Sequence, residues 1–225
     1  MMLRYLPALL LAACAGWVIR EGIQTTRQLA IVEHERDVWQ RPADVVRELN
    51  LRPGDAAEDV GSGAGYFSLK LAQAVGSGGS VFAVDTRAES LAFLWIRAHQ
   101  QGLSAIRIVH GDAADAAMWQ HTGLSGVLIA NTYHELTMPD RVLELSFRCL
   151  RPGGRLVILD RGPRSAADPA WVAGRSEHET PSELVGRAVR SHGFEVSSTD
   201  DQFIEGKPDT GDHWWLMVAR KPART

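Results

Sequence analysis

The sequence has few of the residues that build disulfide frameworks, metal sites or hydrolytic triads. Only two of its 225 residues are cysteines, and neither a close cysteine pair nor the pattern His-Glu-x-x-His occurs. We therefore predict no metal site. The pattern Gly-x-Ser-x-Gly is also absent, which removes the usual sign of a serine hydrolase.

The chain also lacks a strongly basic stretch, a repeat and a low-complexity tract. Its formal net charge is −3, so a nucleic-acid substrate has little electrostatic support. Hydrophobic residues make up 45% of the chain, which is enough for one globular domain. We expect a small-molecule acceptor and no nucleic acid, and the sequence does not predict an oligomeric state.

The strongest positive signal is a glycine-rich stretch. Gly61, Gly63 and Gly65 follow a short apolar run that is typical of a buried strand. After them, residues 66–75 carry apolar side chains at helical spacing. The glycines therefore lie on a predicted strand-to-helix turn, where they let the backbone approach a ligand closely.

Two acids near this turn favour a cationic cofactor over one that carries a diphosphate. Asp59 precedes the first glycine by two residues, where a carboxylate repels a pyrophosphate and attracts an ammonium group. Asp85 ends the next predicted strand, 20 residues after Gly65, at an offset that suits the hydroxyls of an adenosine ribose. Tyr66 also occupies the position where the dinucleotide fingerprint Gly-x-Gly-x-x-Gly has its third glycine. The pattern predicts S-adenosylmethionine and hence methyl transfer.

Residues 59–66 resemble the first motif of the class I S-adenosylmethionine-dependent methyltransferases, and other matches follow in the family's order. Asp85 matches the ribose-binding acid, Asp112 matches the acid after the third strand that contacts the adenine amino group, and residues 150–160 match the fifth strand and the loop before it. The resemblance implies a cofactor site formed by Asp59, Gly61, Ser62, Gly63, Gly65, Asp85, Thr86, Asp112, Ala113 and Asn131.

The resemblance is greatest to bacterial methyltransferase-like proteins that share stretches like residues 36–42 and 131–134. It implies a reaction class and no particular acceptor. Residues 131–135 directly follow the fourth predicted strand, where the family keeps acceptor-facing residues. We predict His134 as the base or orienter of the acceptor, Tyr133 as a wall or hydrogen-bond donor, and Glu135 as an alternative base. The alternative is that His134 only packs or caps this loop.

Three further residues have open roles. Asp160 and Arg161 end the fifth predicted strand and can reach the same pocket as His134. Trp39 precedes the first helix of the domain and is either part of a lid over the cofactor or a buried anchor.

The alternation of strands and helices predicts an α/β three-layer sandwich of the Rossmann-like methyltransferase type. Its doubly wound, mostly parallel sheet has seven strands. The last two strands, 194–196 and 214–219, are close in sequence and are expected to pair antiparallel at the edge. The predicted helices cover 43–49, 66–75, 87–101, 141–150 and 181–192, and the fourth of these places Val142, Leu145, Phe147 and Leu150 inward. Cys149 is expected in the core.

The N-terminus has the order of a secretory signal. A single positive residue, Arg4, precedes an apolar segment over 6–11, and small residues lead to Cys14 in a pattern that resembles a bacterial lipobox. We predict a signal, lipoprotein or membrane-anchor segment with its tether over residues 1–34, and the methyltransferase domain over residues 35–221. The expected localisation is membrane-associated or exported, and a cytoplasmic location is the alternative, because S-adenosylmethionine is made in the cytoplasm.

Two other functions remain open from the sequence. One is a membrane-tethered domain that keeps the fold and has lost turnover. The other is an NAD-dependent oxidoreductase, which Asp59 and the glycine spacing disfavour.

Overall fold

The computed structural model describes residues 28–163, 165–168, 178–205 and 213–223. The chain divides into two compact units, Met1–Val38 and Trp39–Thr225. Helix α1 covers residues 28–40. The predicted signal segment with Cys14 lies outside the described residues. Within the described ranges, no helix is both long and apolar enough to cross a bilayer.

The second unit is built on one seven-stranded sheet whose strand order is β3-β2-β1-β4-β5-β7-β6. Neighbouring strands from β3 to β5 pair in parallel, while β7 runs antiparallel to both β5 and β6. The strands are β1 Ala56–Val60, β2 Ser80–Asp85, β3 Ile106–His110, β4 Leu124–Ala130, β5 Leu150–Arg161, β6 Glu195–Ile204 and β7 Trp214–Arg220. This arrangement confirms the predicted fold class.

Helices connect the strands and cover both faces of the sheet. They are α2 Pro42–Glu48, α3 Tyr66–Val75, α4 Ala88–Gln100, α5 Pro139–Cys149 and α6 Ser182–Ser191. Proline occupies the first turn of α2 and of α5, where its missing N–H has no intrahelical partner to lose. Gly193 follows α6 with a φ of 88°, the left-handed geometry that ends a helix without strain in a glycine.

The core has one large apolar cluster on each face of the sheet. Val142 and Val185 bring α5 and α6 into the first cluster, and Val45 and Leu71 bring α2 and α3 into the second. All seven residues of β4 are buried, as expected for a central strand covered on both faces. Cys149 is buried in the first cluster, which confirms its predicted core position.

Two local predictions are wrong. Leu150 is the first residue of β5 instead of the end of the preceding helix, because the chain becomes extended there and pairs with Leu124. The strand predicted over 194–196 begins one residue later, at Glu195, and continues to Ile204 as β6. Its middle residues are polar and exposed, and its pairing with β7 shifts register twice, so apolar alternation does not mark it. Phe147 is only half-buried and packs edge-on against Phe194.

The topology places a crevice at the carboxyl ends of the strands. β1 lies between β2 and β4, so the strands that follow β1 are added first on one side of it, as β2 and β3, and then on the other side, as β4 and β5. The order of the strands therefore reverses at β1. In open α/β sheets, ligands bind in the crevice at such a point. The loops after β1, β2, β4 and β5 all reach this edge.

Candidate functional site

The turn after β1 has the backbone geometry that only glycine adopts without strain. Gly61, Gly63 and Gly65 have φ angles of 72°, 53° and 92°. A Cβ at Gly61 would overlap the side chain of Thr132, and one at Gly65 would overlap Leu94. The loop is therefore wedged between the middle of α4 and the segment after β4, and side chains are excluded from both contacts.

The middle of the same turn is less crowded by the described residues. A Cβ built on Gly63 would meet no described atom closer than Nη2 of Arg87, at 3.8 Å. Gly63 donates its N–H to Oδ2 of Asp85 over 2.8 Å. The loop is thus less crowded at Gly63 than at Gly61 or Gly65 within the described ranges, and it is tied at Gly63 to the acid that ends β2.

Arg97 of α4 supports the loop from beneath. Its residue exposure is only 6%, and Nη1 donates to the backbone carbonyl of Ala64 over 2.5 Å. The sequence reasoning missed this residue. Arg97 follows Leu94 by three positions and lies on the same inward face of the helix, which was the available signal.

Asp85 is held at the end of β2 with part of its acceptor capacity free. Its carboxylate accepts hydrogen bonds from the backbone N–H groups of Gly63 and Arg87, each over 2.8 Å. The side chain of Arg87 lies 3.4 Å away. A carboxylate has about four lone-pair positions and three of them are used here, so one remains for a hydroxyl of a ligand.

The two acids before the glycines face opposite sides of the sheet, as adjacent strand residues must. Asp59 is buried and accepts a hydrogen bond from the hydroxyl of Ser68 over 2.5 Å. Glu58 is fully buried, and neither carboxylate oxygen has a hydrogen-bond partner among the described residues. Burial, with a smaller contribution from the charge of Asp59, raises the pKa of Glu58 to about 8. Glu58 is therefore a core acid and lies apart from the ligand edge.

Two predicted cofactor residues carry buried polar atoms that have no partner in the described ranges. They are the hydroxyl of Ser62 and Oδ1 of Asn131. Asn131 has a φ of 55°, an unusual value for a residue with a side chain. Its backbone N–H donates to the carbonyl of Leu159 over 2.7 Å, so the strained residue is fixed to β5.

The remaining predicted cofactor residues lie after β2 and β3. Thr86 is exposed, and its carbonyl contacts Nε2 of His110 at 3.0 Å. Asp112 is exposed and caps a turn by accepting the N–H of Ala114. Ala113 is buried in the first core cluster, and its carbonyl accepts the indole N–H of Trp119 over 2.7 Å.

A histidine and a carboxylate pair where β4 and β5 end side by side. Nδ1 of His134 lies 2.7 Å from Oδ1 of Asp160, and the backbone N–H of His134 donates to Oδ2 over 2.9 Å. Both side chains are buried, with exposures of 1% and 0%. The carboxylate accepts at Nδ1, so it holds the ring in one orientation. Asp160 was predicted only to reach this pocket, and the structure brings it into direct contact with His134.

Arg161 lies on the other side of the same imidazole. Its Nη2 is 3.4 Å from Nε2 of His134, and its guanidinium carbon is 5.7 Å from the ring centroid of Trp214. Trp214 packs against Trp39 with ring centroids 5.8 Å apart. Trp214 is buried, and its indole nitrogen has no hydrogen-bond partner within the described part of the chain. Sequence reasoning had assigned Trp214 only to a strand.

The other two predicted catalytic residues differ in their surroundings. Tyr133 is buried in the first core cluster; burial, with smaller contributions from the charges of Asp140 and Asp160, raises its pKa to about 12. This position supports a packing role more than contact with an acceptor. The side chain of Glu135 is 61% exposed and lies 3.6 Å from Nε2 of His134.

Comparison with known proteins gives consistent matches. Residues 52–197 match a family model described as Methyltransferase domain. The arsenite methyltransferase of Aquipseudomonas alcaligenes is 34% identical over 175 residues, which are 70% of this chain and 48% of that protein. The demethylmenaquinone methyltransferase of Oceanobacillus iheyensis is 27% identical over 122 residues, or 54% and 50% of the two proteins. The chain spans about half the length of these curated relatives.

Solved structures share the fold. An S-adenosylmethionine-dependent methyltransferase from Aquifex aeolicus aligns with a TM-score of 0.64 and 24% identity over 80% of this chain and 89% of that chain. A geranyl diphosphate methyltransferase in complex with S-adenosylmethionine aligns at 0.67, with 20% identity over 81% and 84% of the two chains. The [4+2]-cyclase SpnF aligns at 0.69, with 19% identity over 82% and 81%. At these identities the likeness shows the fold alone.

Proposed function

The chain belongs to the methyltransferase domain family, and on that premise we propose that it transfers a methyl group from S-adenosylmethionine to a small organic acceptor bound beside His134. The observation that carries this proposal is the contact between His134 and Asp160. This pair lies at the carboxyl ends of the strands, the same edge of the sheet as the glycine turn after β1. Such a pair is the usual arrangement for a base whose orientation is fixed by a carboxylate.

The residues at this edge fit S-adenosylmethionine. Among the described residues, a Cβ on Gly63 would meet only Arg87, at 3.8 Å, Asp85 keeps one lone-pair position for a ribose hydroxyl, and the buried hydroxyl of Ser62 lacks a partner in the described ranges. Asp59 precedes the loop by two residues, and its negative charge favours an ammonium group over a diphosphate nearby. When bound, this cofactor supplies a methyl group that is already activated by a sulfonium.

The chain's own contribution is to orient the acceptor, remove water and accept a proton. Alignment of the nucleophile for in-line displacement is the main requirement, because the leaving group is already activated. The base matters when the acceptor must lose a proton, and His134 is the buried base at this edge. Glu135 is the alternative base; its exposure leaves it less well positioned.

The chemistry of the chain favours an organic acceptor over arsenite, the substrate named for one relative. Trivalent arsenic is a soft centre that binds best to thiolates. This chain has two cysteines, and Cys149 lies in the core with its pKa raised by burial. An acceptor like demethylmenaquinone, named for the other relatives, makes no demand for thiolates.

Cofactor binding is testable by calorimetry on the purified protein. Asp85→Asn is expected to weaken S-adenosylmethionine about tenfold, since it replaces a charged hydrogen-bond acceptor. The control Glu195→Gln removes the same charge on β6, at the far edge of the sheet, and should leave the dissociation constant unchanged. If Asp85→Asn binds as tightly as the wild type, the cofactor assignment is wrong.

We also propose that residues 1–34 act as a processed leader or membrane tether in front of the domain. The order of charge, apolar run and small residues before Cys14 supports it. Mass analysis of the mature N-terminus from the native host is the test. An acylated Cys14 is the expected result, and an intact Met1 would instead favour the cytoplasmic alternative.

A further inference from the structure

We propose that the side chain of Arg87 competes with the ribose of S-adenosylmethionine for the carboxylate of Asp85 and is displaced when the cofactor binds. Arg87 then sets the affinity for the cofactor and favours release of the product S-adenosylhomocysteine. This inference rests on the proposed function, because it takes Asp85 as the acid that accepts the ribose hydroxyls.

The carboxylate of Asp85 accepts three hydrogen bonds from the described residues. The N–H of Gly63 donates to Oδ2 over 2.8 Å, and Oδ1 accepts the backbone N–H of Arg87 over 2.8 Å and its Nε over 3.4 Å. A carboxylate has about four lone-pair positions, so one remains. A ribose has two neighbouring hydroxyls, and each needs an acceptor position if both are to donate to this acid. One of the present donors therefore has to leave.

The two backbone donors are fixed by the fold. The N–H of Gly63 belongs to the turn whose neighbouring glycines are packed against Thr132 and Leu94. The backbone of Arg87 caps the start of α4, and its carbonyl accepts the N–H of Leu91 over 3.2 Å. Removal of either N–H from Asp85 would require the glycine turn or the first turn of α4 to open.

The side chain of Arg87 is the donor that can leave. It is 64% exposed, whereas the side chain of Asp85 is 5% exposed. Its hydrogen bond is the longest of those on Asp85, at 3.4 Å, and an exposed ion pair of this kind is weak. Displacement of this side chain therefore costs little packing and a single weak interaction.

The same guanidinium also lies beside the glycine turn. Nη2 of Arg87 is 3.8 Å from the position of a Cβ on Gly63. Apart from the chain neighbours of Gly63, no other described residue comes within 4 Å of that position. One exposed side chain thus lies next to both proposed cofactor contacts, the acid that ends β2 and the middle of the turn.

The competition acts equally on the cofactor and on its product, because both carry the same ribose. An exposed ion pair changes the binding of a competing group by up to about fivefold. Product release limits the turnover of many enzymes, and the return of the guanidinium to Asp85 favours that release.

Calorimetry with S-adenosylhomocysteine tests the competition without turnover. Arg87→Met removes the guanidinium and keeps an apolar stem, and it should bind S-adenosylhomocysteine about two- to fivefold more tightly than the wild type. The matched control Arg190→Met removes an exposed cation of α6 and should leave the dissociation constant unchanged. Circular dichroism verifies that both variants are folded.

Deoxy analogues separate competition with the ribose hydroxyls from a general effect of charge. In 2′-deoxy- and 3′-deoxy-S-adenosylhomocysteine one hydroxyl remains, and the free position on Asp85 accepts it while Arg87 keeps its hydrogen bond. For at least one of these analogues, Arg87→Met and the wild type should therefore bind equally well. The gain in affinity should appear with the intact ribose.

Two results would overturn the inference. Weaker or unchanged binding of S-adenosylhomocysteine by Arg87→Met would mean that the side chain contacts the cofactor or does not affect it. A gain that persists with both deoxy analogues would mean that the two hydroxyls do not compete with Arg87. Wild-type affinity in Asp85→Asn would instead defeat the proposed cofactor site, and the inference with it.

Discussion

Glu58 lies in the apolar core with no hydrogen-bond partner among the described residues, so its replacement by Gln is expected to stabilise the protein as pH rises. In the folded protein the pKa of this carboxyl is about 8, against an ordinary value of 4.5. Below pH 4.5 the folded and unfolded chains both carry the proton. Between pH 4.5 and 8 only the folded chain keeps it, so this group lowers stability progressively as pH increases.

The size of the effect follows from the shift. At pH 7, a pKa raised from 4.5 to about 8 costs about 3 kcal/mol relative to the unfolded chain, and above pH 8 the cost levels off at about 5 kcal/mol. Gln has a similar shape and does not titrate. The difference in unfolding free energy between Glu58→Gln and the wild type should therefore grow by about 3 kcal/mol from pH 4.5 to pH 7.

Urea unfolding, monitored by tryptophan fluorescence at several pH values, measures this difference. The contributions of all other titrating groups are the same in both proteins and cancel in the difference. The control Glu89→Gln, at an exposed site on α4, should change stability by less than about 0.5 kcal/mol. A Glu58→Gln difference that stays flat between pH 5 and pH 8 would refute the reasoning, because it would mean that Glu58 is paired or hydrated in the folded protein.

Three other substitutions have expected results. Gly61→Ala should abolish cofactor binding or folding, because the added methyl group overlaps Thr132 and the residue needs a φ of 72°. Calorimetry measures the binding and circular dichroism the folding. Binding with wild-type affinity would contradict the loop geometry. Arg97→Met should weaken S-adenosylmethionine about tenfold with little change in the fold, since it removes the hydrogen bond to the carbonyl of Ala64; unchanged affinity would show that the loop needs no such support. Trp119→Phe should cost about 1 kcal/mol of stability by urea unfolding, through loss of its hydrogen bond to Ala113, and no measurable cost would mean that water replaces the bond.

Much of the fold is predictable because its signals are local. The strand, glycine turn and helix around Gly63 follow each other within about 20 residues, and each has its own periodicity. The continuous apolar run of β4 marks a central strand for the same reason. β6 is the exception, because an edge strand with exposed polar residues lacks the apolar pattern by which strands are recognised.

The site depends on contacts between distant parts of the chain, which sequence reasoning reaches less well. The pair of His134 and Asp160 spans 26 residues and forms only because β4 and β5 are neighbours that end together. Their adjacency was implied by the predicted sheet, so Asp160 was expected near His134, yet the 2.7 Å contact was not predicted. Glu58 and Asp59 face opposite sides of the sheet because side chains alternate along a strand. The sequence alone implies this difference, although it was not part of the prediction.

Transfer of an isotopically labelled methyl group to the small-molecule fraction of a host cell extract tests the central claim most directly. The full chain should form a labelled product, and His134→Ala should form at least about a hundredfold less while binding S-adenosylmethionine as tightly as the wild type. A wild-type protein that binds the cofactor and labels nothing would contradict the account and favour a domain that has kept the fold without the reaction.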